Sequence, residues 1–171
     1  MAWNGWPRFF LACLIASLAT DFLDGLLARA LKQTSETGAK LDSWADFSTM
    51  LAVSFCAWKL WPEVIRREAC FVVAALASYT VAVLCGFLKY RRLTSYHTWT
   101  GKVAAVLLGT ATPLLLAGGP SWPFELAAPA LVLAGLEEIA MTSVLPEWRA
   151  NVPSLWHALK LSRRLNAAST K

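Results

Sequence analysis

The sequence predicts an all-α fold, a polytopic membrane helical bundle of five transmembrane helices with a C-terminal interfacial helix, in one domain over residues 1–171. Three observations carry this prediction. Of the 171 residues, 57% are hydrophobic and only 16% charged, where a soluble domain carries about a quarter charged and under half apolar residues. The apolar residues gather into five runs near the roughly 20 residues that a spanning helix needs. Basic residues then crowd onto one side of the topology those runs imply. A soluble globule cannot hide this much apolar surface, and a disordered chain cannot keep it hydrated. Both classes are excluded.

The runs follow in order. The first extends from about Phe9 to Leu31 and carries charges toward its end; with no small-residue cleavage site it is a poor signal peptide. The second covers about Leu41 to Trp61, stopped by Pro62. The third, fourth and fifth cover about Ala69 to Leu88, Val103 to Ala117 and Pro123 to Leu145, with breakers at Gly118-Gly119-Pro120 and at Pro146. In the tail, from about residue 150 to 171, Leu155, Trp156, Leu159 and Leu161 alternate with Lys160, Arg163 and Arg164 at helical spacing. That pattern suits a helix lying on a membrane surface.

Twelve of the 16 Lys and Arg residues fall on the side holding Arg29, Lys40, Lys89 and Arg163, and four on the side holding Arg8 and Lys59. The positive-inside rule makes the first side cytoplasmic. The N-terminus is then outside, and the expected location is the bacterial cytoplasmic membrane. Trp3, Trp6, Trp58, Trp61, Trp99, Trp122 and Trp148 all lie near expected span ends, where indoles favour the interface. Cys13, Cys56, Cys70 and Cys85 lie inside apolar runs without metal-ligand spacing, and read as packing residues.

The chain's four aspartates are Asp21, Asp24, Asp42 and Asp46. Asp21 and Asp24 share a face at the end of the first helix, and Asp42 and Asp46 share one at the start of the second. A tight turn makes these helices antiparallel neighbours and brings all four carboxylates to one depth on the cytoplasmic side. Uncompensated, each Asp costs a few kcal/mol in a membrane helix. Hard divalent cations between the carboxylates remove that penalty, and oxygen donors suit Mg²⁺ or Mn²⁺. Gly25 and Ala28 continue the Asp21 face with small side chains, and Arg29 offers a phosphate-binding fork. The plainer reading of either pair alone is an interfacial cap or ion pair, and Gly and Ala also serve helix packing. The combination favours a site.

The pattern Asp21-x-x-Asp24-Gly25-x-x-Ala28-Arg29, then eight residues, then Gly38-x-x-x-Asp42-x-x-x-Asp46, resembles the signature of the CDP-alcohol phosphotransferase (phosphatidyltransferase) family, with every position filled at the expected spacing. The likeness to bacterial members extends more weakly through residues 88–97. It implies an integral membrane transferase of phospholipid biosynthesis that moves a phosphatidyl group from a CDP-linked lipid to an alcohol and releases CMP. By resemblance, Asp21, Asp24, Asp42 and Asp46 bind two Mg²⁺ or Mn²⁺ ions, and Asp46 is also the catalytic base. Gly25, Ala28, Arg29, Ser35 and Gly38 would lie along the CDP moiety. Family members usually have six spans, one more than this sequence shows.

The expected partners are the CDP-linked donor, CDP-diacylglycerol first, an alcohol acceptor and the bilayer, with a homodimer as a further option and no nucleic acid. Glycerol 3-phosphate leads the acceptors; inositol phosphate, serine or a lipid alcohol are alternatives. A non-catalytic membrane protein that keeps metal or nucleotide binding is the alternative of a different class. Lys89, Arg91, Arg92 and Lys102 lie on the same side as the aspartates. They read either as membrane anchors contacting anionic lipid or as a phosphate pocket for the acceptor. Glu137 and Glu138 interrupt the last run, as a functional pair or as partners of a neighbouring cation. His97 and His157 read as interfacial.

Overall fold

Each apolar run becomes a helix, bounded where the sequence places its breakers. The computed structural model describes residues 6–30, 36–92, 94, 96, 98–149 and 152–169, and omits the side chains of residues 22, 25–30, 36–37, 39–43 and 166–169. Among the described residues there are seven helices and no strand: α1 Pro7–Ala30, α2 Glu36–Leu60, α3 Pro62–Arg67, α4 Ala69–Tyr90, α5 Trp99–Leu116, α6 Trp122–Val144 and α7 Leu155–Ser169.

The short α3 is the element the sequence did not announce. Pro62 ends α2, because proline has no amide to continue the ladder, and is itself accepted in the first turn of α3. Glu68, at φ −95° and ψ 16°, separates α3 from α4. Its carboxylate is buried and accepts from Arg67 Nε at 2.7 Å. At the other end of α4, Arg91 caps the helix in the left-handed region (φ 56°), its amide donating to the Phe87 carbonyl. Thr98 opens α5 by accepting from the Gly101 amide at 3.0 Å. Gly118 closes α5 at φ 87°, a conformation free of strain only for glycine.

The α6 helix lies at the centre and packs on α4, α5 and α7. Its buried positions are mostly small, Ala127, Ala128, Ala134 and Gly135, and so are buried positions of its neighbours, Ala75 and Ala82 of α4 and Ala104 and Ala111 of α5. Small side chains let helix backbones approach, the usual route to affinity between membrane helices. A Cβ on Gly135 would stand 2.2 Å from Ser78 Oγ and 3.1 Å from the Ser78 carbonyl oxygen. Many large apolar side chains point outward instead, among them Val73, Leu88, Val106, Leu126 and Leu133. The α4 and α5 helices are each long and apolar enough to cross a membrane. The α1, α2 and α6 helices are of similar length but are interrupted by acids: Asp21 and Asp24, Asp42 and Asp46, and Glu125, Glu137 and Glu138.

On α7 the structure corrects the expected use of one face. Ala158 is buried, with Leu155 and Leu161 packed beside it against Tyr96, Met141, Leu145 and Val152. That stripe serves the bundle. Trp156 and Leu159 point away from it, together with the cations. All four cysteines are free thiols, but none is the buried packing residue that the sequence suggested: Cys13 and Cys70 are exposed, and Cys56 and Cys85 are partly exposed.

Candidate active site

Asp21 and Asp24 are both exposed near the end of α1. Neither is in an ion pair among the described residues. Gly25, Ala28 and Arg29 follow in the same helix, and Asp42 lies in α2; the Ala28, Arg29 and Asp42 side chains lie outside the described residues, as does Ser35 altogether. Gly38 is exposed in the first turns of α2.

Among the described residues, the contacts between α1 and α2 lie at the ends opposite the aspartates. Leu14 of α1 and Ala57 of α2 are buried in one cluster with Leu116. Four residues from each, the rings of Phe10 in α1 and of Trp61, just after α2, lie 6.1 Å apart.

Phe47 fixes α2 to α4 by stacking on Tyr79, with ring centroids 6.3 Å apart. One residue earlier, Asp46 lines a cavity of about 190 Å³ shared by α2, α4, α5 and α6. Lys102 of α5, Glu138 of α6, Tyr96 and Thr98 also line it. The lining is mostly apolar, with Asp46, Lys102 and Glu138 as its charged residues. Tyr96 is almost fully buried, and its hydroxyl is 3.1 Å from Thr142 Oγ1.

Of the four cations expected to bind an acceptor, only Lys102 lines the cavity that Asp46 lines. Its ammonium also lies 5.0 Å from the Trp99 ring centroid. Lys89 Nζ donates to the carbonyls of Thr142 at 2.6 Å and Ser143 at 3.2 Å, where a cation complements the C-terminal end of the α6 dipole. Arg92 lies over the Trp148 ring at 5.9 Å, and Arg91 is exposed at its cap position.

The adjacent acids on α6 divide their work. Glu138 faces the cavity. Glu137 accepts from the Thr100 hydroxyl and, at 2.9 Å, from the Leu155 amide, so it caps α7. A cationic partner for either was an expectation of the sequence; for Glu137 the described partners are a hydroxyl and an amide. Tyr96 and Thr98 were not singled out from sequence, because they lie far from the aspartates along the chain and line the cavity only once the helices are packed. His97 lies outside the described residues, and His157 Nδ1 is 2.9 Å from Ser154 Oγ.

The donor chemistry of the aspartates fits a hard divalent cation: all are carboxylates, at helical spacings that share a face. Among the described residues no three acidic, His or Cys side chains stand close enough to hold one, and Asp42 is outside that set.

The sequence profile of CDP-alcohol phosphatidyltransferases matches residues 1–144, which include both aspartate pairs and the cavity. The chain belongs to the CDP-alcohol phosphatidyltransferase family. A similar curated protein is the CDP-diacylglycerol–glycerol-3-phosphate 3-phosphatidyltransferase of Cereibacter sphaeroides, 30% identical over 121 residues. That alignment covers 66% of this chain and 53% of the relative, so this CDP-alcohol phosphatidyltransferase homologue spans about half of its relative's length. No solved structure matches the chain.

Proposed function

We propose that the protein is an integral membrane transferase that moves a phosphatidyl group from CDP-diacylglycerol to a small alcohol and releases CMP. The observation that carries this reading is Asp46, the last position of the family signature, lining the same cavity as Lys102. Glycerol 3-phosphate is the first acceptor, on the strength of the relative's named activity and of a lysine lining the same cavity as the base. Five helices, α1, α2, α4, α5 and α6, span the bilayer, with the aspartates on the cytoplasmic side. The outward apolar side chains of α4, α5 and α6 support this arrangement.

In the proposed reaction Asp46 accepts the proton of the acceptor hydroxyl. The oxygen attacks the phosphorus that bears diacylglycerol, a new P–O bond forms, and the P–O bond to CMP breaks with its electron pair leaving on CMP. Lys102 holds the acceptor's phosphate by a charge-assisted hydrogen bond. Arg29 lies along the diphosphate, with Gly25, Ala28, Ser35 and Gly38 beside the CDP moiety. Asp21, Asp24, Asp42 and Asp46 would hold Mg²⁺ or Mn²⁺, which when bound supplies charge neutralisation at the diphosphate and a better leaving group. Base catalysis of this kind contributes about 10²–10⁴-fold.

The test is purified protein in vesicles with CDP-diacylglycerol, Mg²⁺ or Mn²⁺, and separate acceptors: glycerol 3-phosphate, inositol phosphate, serine and a lipid alcohol. CMP release with glycerol 3-phosphate, matched by formation of the phosphatidyl ester, supports the full proposal. Release with a different acceptor keeps the chemistry and replaces the acceptor. No release with any of them contradicts the enzyme reading.

A further inference from the structure

The outward face of α7 is built differently from the rest of the bundle surface. Trp156, Leu159, Lys160, Arg163 and Arg164 repeat at the i, i+3, i+4, i+7, i+8 spacing of one helical stripe. They line a surface recess of about 420 Å³. Trp156 is 73% exposed, the highest exposure among the large apolar side chains of the described residues. None of the three cations pairs with a carboxylate among the described residues, and residues 150–171 contain no Asp or Glu. The positive charge is therefore uncompensated within its own segment.

This face is held in place. Ala158, Leu155 and Leu161 anchor the opposite stripe in the bundle, and Glu137 caps the first turn through the Leu155 amide. The Trp99 amide donates to the Pro153 carbonyl at 3.1 Å, so α7 begins beside Trp99 and Lys102. Arg92 over Trp148 repeats the same pairing of indole and cation nearby. Indoles and cations together are the composition of a membrane–water interface, and cations on that level attract anionic headgroups.

We propose that the outward face of α7 is a binding surface for anionic phospholipid headgroups of the surrounding bilayer. Lys160, Arg163 and Arg164 contact the phosphates, and Trp156 and Leu159 enter the boundary between headgroups and acyl chains. The surface is separate from the Asp46 cavity and needs no turnover.

Native mass spectrometry of the full chain in neutral detergent tests this, with phosphatidylglycerol or phosphatidylcholine added at equal concentration. The wild-type chain is expected to retain phosphatidylglycerol preferentially. At about 1 kcal/mol per cation near an anionic surface, the K160Q/R163Q/R164Q variant is expected to lose that preference by tenfold or more. The R8Q/K59Q/R66Q variant, which removes as many charges from the other end of the bundle, should keep it. No preference in the wild type, or an undiminished one in K160Q/R163Q/R164Q, overturns the proposal. Raising the ionic strength around the wild type is a check that needs no folded variant. Retention that falls with salt agrees with the surface, and retention insensitive to salt contradicts it. Displacement of the lipid by the same concentration of inorganic phosphate would also overturn it, by showing a site for the free anion.

Discussion

Asp46 of α2 and Lys102 of α5 line one cavity of about 190 Å³. The two residues come from separate parts of the fold: stacking of Phe47 on Tyr79 sets Asp46 against α4, and the Thr98 cap starts α5 one turn before Lys102. A residue able to take a proton and one able to hold an anion thereby line the same cavity.

Lys102 and Lys89 separate function from structure. K102Q is expected to raise the acceptor KM by about tenfold or more with a smaller change in kcat, as loss of a charge-assisted contact of about 1.5–3 kcal/mol implies. K89Q removes the donor to the Thr142 and Ser143 carbonyls and is expected to lower stability by about 1 kcal/mol with KM unchanged. Steady-state kinetics beside thermal unfolding in detergent distinguish the two. A KM effect in K89Q alone would reverse the assignment.

Gly135 sets the approach of α6 to α4. G135A puts a methyl 2.2 Å from Ser78 Oγ, and overpacking of this kind costs about 1–3 kcal/mol. Adding S78A removes the hydroxyl but leaves the Ser78 carbonyl at 3.1 Å, so the double variant should recover part of the loss. Melting temperatures of the four proteins in this cycle check the coupling.

Glu137 holds the first turn of α7 through the Leu155 amide. E137A leaves that amide without its acceptor and should cost about 1–2 kcal/mol, the value of a helix cap. Hydrogen exchange should then rise first in residues 155–158. E137Q keeps a carbonyl oxygen at the position and should retain most of the protection.

Chelation is expected to abolish CMP release, with recovery on adding back Mg²⁺ or Mn²⁺, since the four aspartates are hard oxygen donors. Turnover that persists after complete chelation would contradict the assigned metal role.

The positions of the long helices were legible because apolar runs and breakers mark them directly. The ends of α4 and α6 fall within a few residues of the expected Leu88 and Leu145. The six-residue α3 was not, being too short for a periodic pattern and beginning at the proline that had marked only an end. On α7 the composition announced an amphipathic helix, but two apolar stripes run along it and only packing decides that Ala158 faces the bundle while Trp156 does not. The aspartate spacing showed the family signature. It did not show that Glu138, Tyr96 and Thr98 line the same cavity as Asp46, because tertiary packing decides that. Lys89 and Lys102 look alike in sequence, yet one meets helix carbonyls and the other the cavity.

The most direct test of the central claim compares CMP release by the wild-type chain and by D46N, with CDP-diacylglycerol, Mg²⁺ or Mn²⁺ and the preferred acceptor, at matched thermal stability. The expected result is turnover in the wild type and a loss of at least about 100-fold in D46N, the lower bound for a missing general base. Wild-type rates in a folded D46N protein would contradict the account.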